Sequence, residues 1–237
     1  MKPLPFFFYE EPAPDQSILE LDGDTSRHIT GVLRMQKGDP LHLTDGKGHL
    51  LTAEIAEEYK KKCSVRVTHT QFIQPPSHKV TIALSLLKNK SRFEWFLEKA
   101  TEIGVAEIIP LLSERTERQH FRADRMQSVL VSALLQSQQV WLPVLHEPAP
   151  FDTVIGQLEQ PQKFIAHCLE TDKKSLAEEL AGKDDSARAI LIGPEGDFTA
   201  QEITDALQRG YKPVTLGNTR LRTETAGVVA AAILIIK

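Results

Sequence analysis

Cysteine is nearly missing: Cys63 and Cys168 stand far apart in a chain of 237 residues. They form no CxxC pair and no disulfide framework, which sets aside a stapled secreted scaffold and fits a reducing, cytoplasmic setting. Several catalytic signatures are missing too. There is no GxSxG, no HExxH and no acidic metal motif, which argues against a serine hydrolase, a zincin or a magnesium-dependent phosphoryl enzyme. His167 beside Cys168 makes a poor zinc site, because structural zinc takes four spaced ligands, and no metal is expected. Neither GxGxxG nor GxxxxGK[ST] occurs, so a standard phosphate cradle is excluded. Positive charge is not in excess: 28 Lys and Arg against 32 Asp and Glu leave a net charge of -4. A protein that held phosphate backbone with its whole surface would be more basic, so any nucleic-acid contact must be local. Long apolar runs are also lacking. Residues 226–236 reach about half a membrane span, and the N-terminal MKPLPFFFYEEPAP turns acidic too early for a secretory signal.

What is present divides at Gln74-Pro75-Pro76-Ser77, where paired prolines make a stiff spacer. The part before it reads as β-rich. Residues 18–21 are apolar and Asp22-Gly23-Asp24 reads as a turn. Residues 41–44 and 50–55 alternate about Asp45-Gly46-Lys47-Gly48, a hairpin signal. Residues 64–68 are a further strand, and 27–35 suggest a short helix. Short strands so closely spaced suggest a small barrel.

Beyond the prolines, strands and helices alternate, the α/β signature. Residues 80–87 read as a buried strand, with Lys88, Lys90 and Arg92 at its carboxyl end. Ser91 and Glu94 form a capping box for a helix that Gly104 closes. Strands at 108–112 and 163–169 and helices at 126–138, 151–158 and 175–180 follow, then a polar loop over 182–188. Arg115, Arg118, Arg122 and Arg125 among Glu114, Glu117 and Asp124 read equally as a salt-bridged surface or an RNA patch.

The last fifth is the most strongly marked. Strand 189–192 runs into Gly193-Pro194-Glu195-Gly196. Thr199 then caps a helix, with Glu202 completing a capping box and Phe198 and Ile203 a hydrophobic staple. Strand 213–216 runs into a second loop, 217–222, before a final helix that is apolar almost all round and so must be buried in the protein or a partner. Ligands collect beyond the carboxyl ends of strands in open α/β sheets. Glycine there removes the side chain that would block approach to the backbone. Pro194 lacks the N–H of a phosphate nest, so these loops are shaped for something other than a dinucleotide.

IGPEGDFTAQEI followed by LGNTRLRTETA resembles the paired signature of the SPOUT methyltransferases, specifically the family that methylates N3 of a uridine in 16S ribosomal RNA. LLKNKSRFEWFLEKATEIGVAEIIPLLSERTER is similar to that family's opening motif, and RHITGVLRMQKGDPLHLTDGKG to its N-terminal domain. The resemblance thus spans nearly the whole chain. It implies an α/β protein with a PUA-like RNA-binding β-barrel over residues 1–72 and a SPOUT methyltransferase domain over 77–237. In that family the two loops belong to a deep trefoil knot that binds S-adenosylmethionine (SAM). The family usually has a second glycine where this chain has Asp197.

The resemblance also implies roles. SAM is expected on Leu169, Ile192, Gly193, Pro194, Gly196, Leu216, Gly217, Leu221, Arg222 and Thr225. RNA is expected on Arg27, His28, Arg34, Lys88, Lys90, Arg92, Arg115 and Arg118. The implied partners are 16S ribosomal RNA or the small ribosomal subunit, and a second copy of the chain through the knot domain, in the cytoplasm and without membrane. Methyl transfer mainly requires alignment of nucleophile and methyl group. Uridine N3 must lose its proton, so Arg222 is expected to stabilise negative charge on the uracil carbonyls. Glu224 or Glu195 would take the proton or orient Arg222. The competing readings are a non-catalytic RNA-binding assembly protein on the same fold and a SPOUT enzyme with another RNA target.

Overall fold

The computed structural model describes residues 3–59, 62–117, 121–169, 172–182 and 186–236. Two compact units emerge: residues up to Pro75 together with Leu134–Leu142, and Pro76–Ala133 together with the residues from Pro143 on.

The first unit contains β1 (Phe6–Phe8), β2 (Ile18–Glu20), α1 (Gly23–Arg27), a π-helical turn (His28–Leu33), β3 (Pro40–Thr44), β4 (His49–Tyr59) and β5 (Lys62–Phe72). The strands form one sheet in the order β1-β3-β4-β5-β2. Period-two alternation turns Leu41, Leu43, Leu51, Ala53, Ile55, Val65 and Val67 to one side, where they form a core with Phe7 and Ile29. Asp22 does not end a simple turn, as its neighbours suggested. It caps α1, its side chain accepting from the N–H groups of Asp24 and Thr25. The expected hairpin forms between β3 and β4. Gly48 in its turn has φ +100°, and a Cβ there would lie 2.5 Å from the Trp141 ring. Glycine is therefore demanded twice, by backbone and by space.

The second unit contains β6 (Val80–Ser85), α2 (Lys90–Ile103), β7 (Glu107–Leu112), α3 (Ala123–Ser137) as far as Ala133, β8 (Val144–Leu145), β9 (Ala149–Pro150), α4 (Phe151–Gln157), β10 (Gln162–Ala166), β11 (Lys174–Ser175), α5 (Leu176–Leu180), β12 (Arg188–Ile192), α6 (Ala200–Gln208), β13 (Lys212–Thr215) and α7 (Thr223–Ile236). The sheet order is β11-β13-β10-β12-β6-β7-β8, with β9 also beside β7. Every pairing in it is parallel. Each residue of β6 and β12 is buried, as a parallel sheet covered on both faces requires.

Three local readings change. Asn89, not Ser91, caps α2, its side chain accepting from the Ser91 N–H at 3.0 Å. Strand β10 stops at Ala166 instead of continuing to residue 169. Arg188 is not in a polar loop: it opens β12 and is fully buried. Its Nη1 donates to the Leu234 carbonyl at 2.5 Å, near the end of α7. A guanidinium there satisfies a carbonyl that the helix leaves unpaired and complements the negative end of its dipole. Among the described residues no helix is long and apolar enough to cross a membrane.

Helix α7 packs on α2 and β6. The contact closes at Gly227, where a Cβ would lie 2.7 Å from the Phe96 ring and closer still to Leu84 Cδ1. Both neighbours are fully buried. Gly227→Ala gains about 1 kcal/mol of helix propensity but overpacks the contact at about 1–3 kcal/mol. The variant should therefore melt a few degrees below the wild type; an unchanged or raised melting temperature would refute the close packing.

Candidate active site

Strands β13, β10 and β12 lie side by side, and Ala166 of β10 is in register with both Ile192 and Val214. Their carboxyl ends are therefore level, and three loops leave the sheet at one edge. Those loops, with Arg92 from α2 and Ala226 from α7, line a cavity of about 860 Å³. That volume suits a ligand of cofactor size.

The first loop, after β12, is held on all sides. The Asp197 N–H donates to the Pro194 carbonyl at 2.9 Å, closing a tight turn. Asp197 has φ +63°, a left-handed conformation that aspartate tolerates better than most residues. Its Oδ1 accepts from its neighbour's N–H, Phe198, at 2.8 Å, and its Oδ2 accepts from the Cys168 N–H in the loop after β10, also at 2.8 Å. The side chain thus ties two cavity loops together, which a glycine cannot do. Arg115 Nη1 donates to the Gly196 carbonyl at 2.7 Å. Thr199 and Glu202 form the expected capping box. The other Glu202 oxygen accepts from the Glu114 N–H at 2.8 Å. Phe198 and Ile203 are buried in one apolar cluster, consistent with the expected staple.

The loop after β10 is organised by Lys173, whose Nζ donates to the carbonyls of His167 and Leu169, each at 2.7 Å. His167 is nearly buried and faces the cavity. Burial first, and the Lys173 charge second, push its imidazole below the usual histidine range, against the opposing charge of Asp197. In the loop after β13, Gly217 has φ +142°. Thr215 Oγ1 donates to the Gly217 carbonyl at 2.8 Å. Arg220 and Arg222 are exposed there and line the cavity.

The structure brings together many of the residues singled out from the sequence. Ile192, Gly193, Pro194, Leu216, Gly217, Leu221, Arg222, Arg92 and Glu195 all line the cavity. Leu169, Gly196 and Thr225 are not part of its lining. Leu169 and Gly196 instead spend their carbonyls on Lys173 and Arg115. Glu224 is also outside the lining: it is buried in the first turn of α7, with Oε1 3.6 Å from Arg92 Nε. Among the expected RNA contacts, Arg27, His28 and Arg34 are exposed on the short helical segment of the first unit. Arg27 pairs with Asp24. Lys88 and Lys90 are exposed, and Lys88 pairs with Glu117 at 3.1 Å. Arg118 lies outside the described residues. Lys173 and Asp197 were not read as site residues. The loop carrying Lys173 has no glycine to mark it, and nothing in the sequence says that β10 lies between β12 and β13.

Residues 74–235 match the RNA methyltransferase domain family, and residues 21–68 match the RNA methyltransferase PUA domain. The chain belongs to this RNA methyltransferase family. A ribosomal RNA small subunit methyltransferase E from Synechocystis is 31% identical, the match covering 93% of this chain and 74% of that one. The crystal structure of a probable rRNA-methyltransferase from Porphyromonas gingivalis is 38% identical with a TM-score of 0.87, covering 96% and 95% of the two chains. A ribosomal RNA small subunit methyltransferase E from Neisseria gonorrhoeae, solved bound to S-adenosyl methionine, is 28% identical with a TM-score of 0.85, covering 97% and 95%. For a methyltransferase of this family, the level strand ends supply three loops of accessible backbone beside a mixed set of charges.

Replacing Asp197 by Gly keeps the left-handed backbone easy but removes both acceptors. The variant should lose about 1–3 kcal/mol of stability and exchange the Cys168 amide hydrogen roughly tenfold faster. Exchange at the wild-type rate would show that the carboxylate does not hold the two loops together.

Proposed function

We propose that this protein transfers a methyl group from SAM to N3 of a uridine in the 16S ribosomal RNA of the small subunit. The observation that carries this reading is the cavity of about 860 Å³ beyond β13, β10 and β12, in a chain of the RNA methyltransferase family. The lining fits SAM chemically. Arg220 offers a cation toward a carboxylate, and Glu195 and Asp197 offer anions toward an ammonium and a sulfonium. Glycine at 193 lets the first loop pack closely on Phe198, since a Cβ there would press on that residue at 3.2 Å. When bound, SAM supplies a methyl group on a sulfonium that needs only an aligned nucleophile.

The chain's own residues then have three tasks. Backbone groups at Ile192, Gly193, Leu216, Gly217 and Leu221 hold the cofactor. Arg222, exposed on the cavity rim, stabilises the negative charge that grows on the uracil oxygens as N3 loses its proton. Glu195, also exposed and in the lining, is the carboxylate open to that proton, whereas Glu224 is buried and orients a cation.

The wider architecture belongs to the same proposal. The sheet of the first unit is a PUA-like barrel, residues 1–72, that grips RNA through Arg27, His28 and Arg34. Residues 77–237 form the SPOUT domain, with Lys88, Lys90 and Arg115 on its RNA side. A trefoil knot is supported by the strand path: β10 is followed by β11 two places away, β12 enters on the far side of β10, and β13 then fills the gap. The half-buried Val228, Val229 and Ile233 of α7, with the exposed Ile236, supply an apolar face for a second copy. The protein works in the cytoplasm, where ribosomes assemble.

Arg222→Ala should lower turnover at saturating substrate roughly a hundredfold or more, while SAM affinity measured by calorimetry stays within a few-fold of wild type. Turnover near wild type in that variant would remove Arg222 from the reaction.

A further inference from the structure

Cations in the cavity differ in how firmly they are held. Arg220 and Arg222 sit exposed on a loop, whereas Arg92 stands in the first turn of α2, a helix packed against α7. The Arg92 side chain is 35% exposed and that of Glu224 is 8% exposed, so one end of the pair faces the cavity and the other is buried. Arg92 Nε lies 3.6 Å from Glu224 Oε1, too long for a good hydrogen bond. Glu224 Oε2 is buried without a hydrogen-bond donor among the described residues. A buried carboxylate oxygen left in that state is unfavourable, and a guanidinium matches a carboxylate best through two parallel N–H···O bonds. The pair is thus one small side-chain movement short of a two-bonded arrangement that would fix Arg92 at the cavity wall.

We infer that Arg92 is a further catalytic residue, a pre-aligned cation for the negative charge that grows on the uracil oxygens as N3 loses its proton, and that Glu224 is its positioning residue. This rests on the methyl-transfer reading above. A charge fixed in advance stabilises a transition state more than one that must be ordered during the reaction. Arg92 therefore acts on the chemical step beside Arg222, with a charge that a buried carboxylate holds more firmly in advance. The chemistry is otherwise unchanged: the N3 proton passes to the Glu195 carboxylate, the new N–CH3 bond forms from the N3 electron pair as the S–CH3 bond breaks, and the sulfur leaves with the bonding electron pair as a neutral thioether. Arg92 holds its charge throughout.

The test is single-turnover methylation of small ribosomal subunits, with SAM binding measured in parallel, for wild type, Arg92→Ala, Arg92→Lys, Glu224→Gln and the Arg92→Ala/Glu224→Gln double variant. Arg92→Ala is expected to lower the saturated rate roughly a hundredfold, with SAM affinity and the RNA half-saturation concentration within about threefold. Arg92→Lys should recover part of the rate. Glu224→Gln, which preserves shape and folding, should also slow the step. The double variant should be no slower than Arg92→Ala, because the two residues act as one unit. The inference is overturned if Arg92→Ala keeps a near-normal saturated rate, if its loss falls wholly on RNA binding, or if the two losses multiply. Failure of the wild type itself to methylate the subunits while binding SAM would instead overturn the underlying reading of the substrate.

Discussion

Strands β6 and β12 are buried along their whole length, so neither face of the sheet is open to a ligand at its centre. Reactive contacts must lie beyond the strand ends, and in a parallel sheet all carboxyl ends point the same way. The register of Ala166 with both Ile192 and Val214 makes three of those ends level. From that alignment follow the position of the cavity, the meeting of loops distant in sequence, and the short ties between them. Asp197 reaching Cys168, from the loop after β12 to the loop after β10, depends on it.

The same alignment explains the charge pattern. An overall net charge of -4 gives no general attraction to RNA, yet the cavity gathers Arg92, Lys173, Arg220 and Arg222. They are not equivalent. Lys173 is consumed by two backbone carbonyls and works as a brace. Arg220 and Arg222 are left on the rim, and Arg92 is backed by a buried carboxylate. A site that must hold a cationic cofactor beside an anionic polymer benefits from cations with such separate duties.

Much of this could be read from residue order. The Thr199–Glu202 box, the stop at Gly104 and the two glycine-bearing loops are short-range signals, decided within a few residues, and they appear in the structure. What escaped depends on distance. Arg188 looks like the end of a polar loop because its partner, the Leu234 carbonyl, is 46 residues away. Ser91 and Asn89 both suit a helix start, and only the backbone shows that Asn89 takes it. The strand expected to run to residue 169 is cut at Ala166 because the next carbonyls turn to Lys173. Glu224 was paired with Arg222 by proximity in sequence, yet its carboxylate lies beside Arg92 on another helix.

The most direct test is transfer of labelled methyl groups from SAM to small ribosomal subunits that lack the modification, with naked 16S ribosomal RNA alongside and the product mapped nucleoside by nucleoside. The account predicts label on N3 of a single uridine. Label on another atom or another RNA, or none at all from a protein shown to bind SAM, would contradict it.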